Sequence, residues 1–189
     1  MIVRGDRTLE SIGRMASLPE DISPLQIGTT LVYSDRRYTL LGRYCMGWAD
    51  GVWTEWFIDD GTAPGWLVHA QGFFSVAFEH PVAPPLDTAP WPAAGMEIVI
   101  DDTSYRVTDL KEAKCIASEG ELPFAAKPGL TIGYADMLSR SGGFATLEES
   151  QGARSLSVGQ NLAFDDLRFA NLRPLEGWTP PRSDFRLPS

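Results

Sequence analysis

Runs of β-branched and aromatic residues, separated by turn residues, dominate the hydrophobic pattern of this chain. Residues 29–33 and 38–41 are such runs, and they flank the polar stretch 34–37, Ser-Asp-Arg-Arg. This arrangement predicts a β-hairpin with a four-residue turn. Asp-Gly, Pro-Gly and Gln-Gly steps then separate three further predicted strands, at residues 53–59, 65–70 and 73–78. Short strands at this interval are typical of a β-sandwich or β-barrel, so the sequence predicts a mainly β fold.

The same pattern returns in the second half of the chain. Residues 28–38 align without a gap on residues 95–105, and both stretches contain a glycine, an apolar strand, an Asp-containing turn and a tyrosine. Pairs of aromatic residues ten positions apart also recur in both halves, as Trp56 with Trp66 and as Tyr134 with Phe144. We interpret this as a diverged internal duplication. It predicts two related modules of short antiparallel strands, either barrel-like or sandwiched.

Proline-rich and helical patterns mark the predicted boundaries. Residues 81–92 contain five prolines, which cannot donate ladder hydrogen bonds, so we expect an extended connector there. Residues 8–18 place Leu9 and Ile12 at helical spacing behind Thr8, which predicts a short N-terminal helix. The predicted units are a helix and linker at 1–23, a first β module at 24–80, the connector at 81–92, a second β module at 93–175 and an extended tail at 176–189.

Composition and charge exclude some partners. A chain of 189 residues can bury a core without disulfides or metals. Its net charge of −9 argues against a nucleic-acid partner, which requires a basic surface. Residues 1–6 lack the apolar core of a signal peptide, and no run approaches the roughly 20 apolar residues of a membrane span. We therefore expect a cytoplasmic protein without an integral membrane segment.

Candidate reactive residues are few. Cys45, His69, His80 and Cys115 lack the short ligand spacing of structural zinc sites, so we expect no metal and no cofactor. The two cysteines form no CxxC pair, and two buried thiols are expected, with a single disulfide as the alternative. Gly-x-Ser-x-Gly and phosphate-binding glycine motifs are absent, although a cysteine nucleophile paired with His69 stays open. The sequence therefore favours a non-enzymatic protein and predicts no catalytic residue.

The densest cluster of large rings lies at residues 53–66, which hold half of the six tryptophans. Strand alternation predicts Trp53 and Glu55 on one face and Trp56 on the other. If the first face lines a cleft, a ring face and a carboxylate could together hold a cation. Otherwise Glu55 is structural, and it bonds backbone amides or pairs with an arginine such as Arg43. The candidate binding residues are Trp53, Glu55, Trp56 and Trp66.

Several of these residues form a recognisable pattern. It consists of Gly28 before the first strand, YTLLG at 38–42, WTEW at 53–56 and GWL at 65–67. This pattern resembles the DUF4178 domain, a bacterial domain of unknown function. Three further stretches, at 120–124, 134–136 and 143–147, resemble the second copy of the domain in family members that have two copies. The resemblance therefore spans about residues 24–175. The family often carries Cys-rich zinc-ribbon segments, which this chain lacks.

Two classes of function stay open. The resemblance implies a link to membrane-stress proteins of the phage-shock type and to polyamine-synthase-like enzymes. The preferred hypothesis is a non-enzymatic adaptor for an unknown protein partner in such a system, with peripheral association with a membrane complex. The alternative is a binding protein for a small polyamine-like cation, or a weak enzyme, with an acidic aromatic cleft. A third interpretation places all of these rings in the core.

One structural observation separates the two classes. A ligand-binding protein should bury its tryptophans around a pocket with Glu55 in the wall. An adaptor should expose an apolar patch of roughly a few hundred Å².

Overall fold

Eleven antiparallel strands and a short 3₁₀ helix make up the part of the chain that the computed structural model describes, residues 10–12, 23–70, 72–82 and 86–179. The strands are β1 (Glu10–Ile12), β2 (Thr30–Tyr33), β3 (Arg36–Trp48), β4 (Gly51–Asp59), β5 (Gly65–Ala70), β6 (Phe73–His80), β7 (Glu97–Ile100), β8 (Thr103–Leu122), β9 (Thr131–Ser139), β10 (Gly143–Ser150) and β11 (Ala153–Leu162). The 3₁₀ helix is Phe164–Leu167. The mainly β prediction is confirmed.

Eight of these strands close into one antiparallel barrel. The order around the ring is β3-β4-β5-β6-β11-β10-β9-β8, and β8 pairs with β3 to complete it. Strands β2 and β7 pair with the N-terminal parts of β3 and β8, so they lie outside the ring. Two seams, β3 with β8 and β6 with β11, join the first half of the chain to the second.

The expectation of two separate modules is not confirmed, because both halves contribute to the same ring. The physical reason is that each half of the chain has two edge strands. Each half alone would end in strands with unpaired backbone N–H and C=O groups, and pairing the two halves removes both edges. The internal duplication and the domain boundaries drawn from it stay predictions.

The predicted hairpin at 29–41 is present, with a tighter turn than the sequence indicated. Two residues, Ser34 and Asp35, form the turn with φ of 49° and 60°, and β3 begins at Arg36. The corresponding turn between β7 and β8 is Asp101-Asp102, with φ of 44° and 62°. Two-residue turns with positive φ match the twist of the flanking strands, and aspartate tolerates that conformation.

The N-terminal helix predicted over residues 8–18 is not confirmed in the described part of that range. Glu10–Ile12 is extended and pairs with the C-terminal end of β8, from Glu10 opposite Leu122 to Ile12 opposite Gly120. A short helix is marginal by itself, whereas the end of β8 offers backbone hydrogen-bond partners. The rest of that range lies outside the described residues, as does most of the predicted tail at 176–189.

Both faces of the barrel strands are buried. The interior holds an aromatic and aliphatic cluster that includes Tyr44, Met46, Trp53, Phe57, Cys115 and Tyr134. The outer face of β3–β6 packs under β2 and the C-terminal segment, and its core includes Leu31, Leu40, Trp56, Ile58, Leu67 and Phe169. The outer face of β8–β11 packs under β7 and the connector, around Ile98, Val107, Met137 and Leu147.

One end of the barrel is covered by the connection between β8 and β9, residues 123–130, which we call the plug loop. Phe124 of this loop packs against the rings of Tyr44 and Trp66, at centroid distances of 5.4 and 6.0 Å. Ser118 Oγ donates a hydrogen bond of 2.8 Å to the Ala126 carbonyl, which fixes the loop to β8. At the opposite end, where Trp48 and Val52 flank the β3–β4 connection, the interior contains a cavity, and we call this end the open end.

Candidate ligand site inside the barrel

A cavity of about 250 Å³ lies inside the barrel at its open end. Residues that point inward from facing strands form its wall, and they include Trp53, Glu55, Val68, Tyr134, Thr146 and Glu148. Strands β4 and β10 lie four positions apart in the eight-stranded ring, so Glu55 and Glu148 come from opposite sides of the interior. The rim carries Trp48 and Val52, which are 38% and 50% exposed.

Glu55 is held by three neutral hydrogen-bond donors. Its Oε2 accepts a bond of 2.6 Å from Tyr44 Oη, and its Oε1 accepts bonds of 2.8 Å from Trp53 Nε1 and 3.0 Å from Tyr134 Oη. The edge of the Trp53 ring also packs against Tyr134, with centroids 5.2 Å apart. A carboxylate offers about four acceptor positions, so Oε2 retains one for a further donor.

The ionisation of Glu55 reflects two opposing effects. Burial raises the pKa of the Glu55 carboxyl above its ordinary value, while the hydrogen bonds from Tyr44, Trp53 and Tyr134 lower it and offset part of that rise. Burial, followed by the Glu55 charge, raises the pKa of both tyrosine hydroxyls well above 10. The tyrosines therefore stay protonated and remain donors to Glu55.

Glu148 is a second carboxyl group in the same cavity. Burial first, and then the charges of Glu55 and Asp136, raise the pKa of Glu148 well above its ordinary value, while a hydrogen bond with Ser155 acts in the opposite direction. Part of its side-chain surface is accessible, but that surface faces the cavity rather than bulk solvent. No ion pair involves Glu55 or Glu148 within the described residues.

Lys111 lines the mouth of the cavity, and its ammonium group already forms ion pairs with two carboxylates. Its Nζ bonds Asp109 Oδ2 at 2.7 Å and also Asp136 Oδ2. The same ammonium lies 5.9 Å from the centre of the Trp48 ring and 5.5 Å from that of Trp53. Burial alone would lower the pKa of Lys111, but the carboxylates of Asp136 and Asp109 raise it, so this side chain stays charged.

Thr146, on β10 between Phe144 and Glu148, supplies a hydroxyl group to the wall. The residue is 5% exposed, and its Oγ1 has no hydrogen-bond partner in the part of the chain that the structure describes. An unpaired buried hydroxyl costs about 1–3 kcal/mol. The oxygen has almost no accessible surface, so this cost is carried by the folded protein itself.

The structure places the four predicted binding residues in different surroundings. Trp53 and Glu55 lie on the same face of β4, as strand alternation predicted, and that face lines the cavity. Trp66 also points inward, but it does not line this cavity, and it packs on Tyr44 at 5.4 Å and on Phe124 of the plug loop at 6.0 Å. Trp56 faces the outer core and is fully buried.

Arg43 does not form the ion pair with Glu55 that the sequence offered as one alternative for a structural role. Its Nε bonds Glu119 Oε1 at 2.7 Å, and its guanidinium lies 4.7 Å from the centre of the Trp56 ring. Both contacts lie on the outer face of β3 and β4. Glu55 points to the opposite face, where its partners are the two tyrosines and Trp53.

Sequence reasoning missed several residues of this site. Tyr134 and Thr146 entered the sequence analysis only through the aromatic spacing and the family resemblance, and neither they nor Glu148 and Lys111 were predicted to bind a ligand. A signal was present on β10, where Phe144, Thr146 and Glu148 alternate with the apolar residues Ala145 and Leu147. Such alternation fits a strand with one face in an apolar layer and the other in a polar cavity.

The histidines and cysteines lie apart from this chemistry. His69 stacks on Phe74 at 4.5 Å, and His80 Nε2 lies 2.8 Å from Asp101 Oδ2. Both cysteines are buried and neither is in a disulfide, and burial raises the pKa of Cys115 to about 11, so that it stays a thiol. Over the described ranges, no group of three or more His, Cys, Asp or Glu side chains is arranged to hold a metal ion.

Replacing Glu148 with glutamine is expected to stabilise the protein increasingly as pH rises. The pKa of Glu148 in the folded protein lies well above its ordinary value of 4.5, so the folded protein holds the proton more tightly than the unfolded chain does. This tighter proton binding contributes fully to the free energy of unfolding below pH 4.5. The parent protein loses this contribution as pH rises through the folded pKa, whereas the glutamine side chain does not titrate and the variant's stability does not change for this reason. Urea unfolding of both proteins at about pH 5 and about pH 8 measures the difference.

Glu112→Gln, an exposed change on β8, serves as the control and should show no such trend. A Glu148→Gln advantage that is equal at both pH values would contradict the buried, raised carboxyl.

Comparison with known proteins yields a match at the family level. A family model described as a domain of unknown function, DUF4178, matches residues 26–164. No curated protein and no solved structure matches the chain. None of the described segments forms a helix that is long and apolar enough to cross a membrane.

Proposed function

Since the chain belongs to the DUF4178 family, whose function is unknown, we propose from its own geometry that the barrel binds a small molecule with a protonated amine. The observation that carries the proposal is the pair Glu55 and Glu148 in one aromatic cavity, without an ion-pair partner for either among the described residues. Buried carboxylates are costly unless a cation or several hydrogen bonds compensate them. Glu55 already accepts three hydrogen bonds, whereas a single hydrogen bond, with Ser155, favours the charged form of Glu148, so a ligand cation would chiefly compensate Glu148 and would add a charged partner to Glu55.

The charges of the cavity favour a cation over an anion. Three carboxyl groups, those of Glu55, Asp136 and Glu148, line it together with one ammonium, Lys111. Asp109 and Asp136 already neutralise that ammonium, so an anionic ligand would find no available positive partner in the described wall. A cation would meet a negative field in a setting of low dielectric.

Each donor of an ammonium group has a candidate acceptor. Glu55 Oε2 retains one acceptor position, and the two carboxyl oxygens of Glu148 provide the others. The faces of Trp53 and Tyr134 would attract the same charge through their ring quadrupoles. A primary ammonium group has three N–H donors for these acceptors, whereas a quaternary ammonium has none, so the wall favours a primary amine.

The adaptor hypothesis has less support in this geometry. Trp53 and Trp56 are 8% and 0% exposed, so they are buried rather than displayed to a protein partner. The arrangement matches the expectation for a ligand-binding protein, with Glu55 in a pocket wall. The adaptor role in a membrane-stress or polyamine-related system, the unknown protein partner, the cytoplasmic location and the polyamine-like identity of the ligand stay predictions.

Calorimetric titration with three probes of equal carbon number tests the proposal. We expect butylamine to bind at least about tenfold more tightly than 1-butanol, because hydrogen bonds to charged groups contribute about 1.5–3 kcal/mol. Butyrate should not bind measurably, since its charge would face Glu55 and Glu148. Glu112→Ala, an exposed change on β8, is the control variant and should leave butylamine binding unaltered. Equal binding of butylamine and 1-butanol would refute the proposal.

A further inference from the structure

A second cavity, of about 540 Å³, lies at the opposite end of the barrel beside the plug loop. The loop and strands β9, β10 and β11 form its wall, to which Phe124, Leu130, Ile132 and Ser155 contribute. Glu148 also lines this cavity, and among the described residues it is the one side chain that belongs to the walls of both. Glu148 therefore stands between the two cavities, which lie towards opposite ends of the barrel.

The second cavity differs chemically from the first. Five of its eleven lining residues are apolar, namely Phe124, Ala125, Leu130, Ile132 and Ala153, and Glu148 is the only carboxyl group among the described residues that line it. Its basic residues are Lys127 and Arg154. The Arg154 guanidinium bonds Glu149 Oε2 at 2.7 Å and the Leu86 and Ala89 carbonyls at 2.8 and 2.7 Å. The apolar side chains of Phe124, Leu130 and Ile132 offer contacts to hydrocarbon, whereas the wall offers a second ammonium group no carboxylate besides Glu148.

We infer that the ligand is a primary monoamine with an apolar tail, and that its tail passes Glu148 into the second cavity. The inference rests on the proposed function, since the ammonium group remains between Glu55 and Glu148. It narrows the class of ligand. A linear polyamine would have to place a further charge beside Lys127 and the apolar side chains of that wall, where the described residues offer no second carboxylate to receive it.

The length of the chain is the variable that tests this arrangement. We expect affinity to rise by about fourfold for each methylene from propylamine to octylamine, which corresponds to about 0.8 kcal/mol per buried methylene group. We also expect 1,8-diaminooctane to bind at least about tenfold more weakly than octylamine, because its second ammonium would lose its hydration without gaining a partner. Calorimetry at fixed pH and ionic strength measures both comparisons.

A variant that fills the second cavity locates the tail. Ala125, on the plug loop, is exposed and lines this cavity without lining the first. Ala125→Trp should reduce octylamine affinity to about that of butylamine while propylamine affinity stays unchanged. Ala94→Trp is the matched control, since Ala94 is an exposed turn residue that lines neither cavity. Thermal unfolding confirms that both variants fold before the titrations are compared.

The possible outcomes separate this inference from the proposed function. If propylamine binds and affinity does not rise with chain length, the tail site is refuted and the amine site stands. If 1,8-diaminooctane binds as tightly as octylamine, the monoamine assignment is refuted in favour of a diamine or polyamine. If no amine binds at any length, the proposed function itself fails, and the tail site fails with it.

Discussion

Replacing Glu55 with alanine is expected to lower the free energy of unfolding by about 4 kcal/mol. The substitution removes the acceptor of three buried donors, the hydroxyls of Tyr44 and Tyr134 and the indole N–H of Trp53. Each unsatisfied donor costs about 1–3 kcal/mol. The net loss is smaller than their sum, because the substitution also removes a carboxyl whose ionisation burial disfavours. Urea unfolding at neutral pH measures the change.

Glu55→Gln separates the structural role of this residue from its binding role. An amide oxygen still accepts hydrogen bonds, so we expect a stability loss of no more than about 2 kcal/mol. Butylamine affinity should nevertheless fall at least about tenfold, since the negative charge is gone. Glu112→Ala should change neither property by a measurable amount. A fully stable Glu55→Ala protein would show that the hydrogen-bond network contributes little to the fold.

Gly159→Ala is expected to have the second large effect, a destabilisation of about 3 kcal/mol or more. Gly159 lies on β11 opposite Ala77 of β6, at one of the two seams that close the ring. A Cβ at this position would lie 1.8 Å from the Val76 carbonyl oxygen and 2.6 Å from the Ala77 Cα. These are backbone atoms of the neighbouring strand, so no rotation of a side chain can relieve the overlap. Thermal and urea unfolding both report the loss.

Gly133→Ala is the matched control on β9. The atoms nearest to its added Cβ would be 3.8 Å away, at ordinary contact distance. Alanine is favoured over glycine within a strand by roughly 0.5–1 kcal/mol, so this variant should be slightly more stable than the parent protein. Equal stability of the two variants would mean that the β6–β11 seam tolerates separation, and that the ring is less tightly closed than its geometry indicates.

The seam and the site are physically connected. Glu55 lies on β4 and Glu148 on β10, and these strands come from different halves of the chain. They face each other only because β6 pairs with β11 and β3 pairs with β8. A variant that opens a seam without unfolding the protein should therefore lose amine binding together with barrel closure.

Local patterns in the sequence account for the local features of this protein. Most strand segments, the hairpin around Ser34 and Asp35, and the opposite orientations of Trp53 and Trp56 followed from β-propensity, turn residues and strand alternation. Each of these depends on neighbours a few positions away. The sequence also placed Glu55 among rings on one face of a strand, and left open whether that face lined a cleft.

Only the tertiary structure decided what lies across from that face. Tyr134 bonds Glu55 from 79 positions away in the sequence, and Glu148 joins the same cavity from a strand in the other half. Alternation could not tell the interior from the exterior, because outer layers bury the second face of these strands as well. Pairing at β8 likewise made an extended strand of Glu10–Ile12, where local spacing favoured a helix. Strand partners are set by barrel closure between distant segments, and no local pattern encodes that choice.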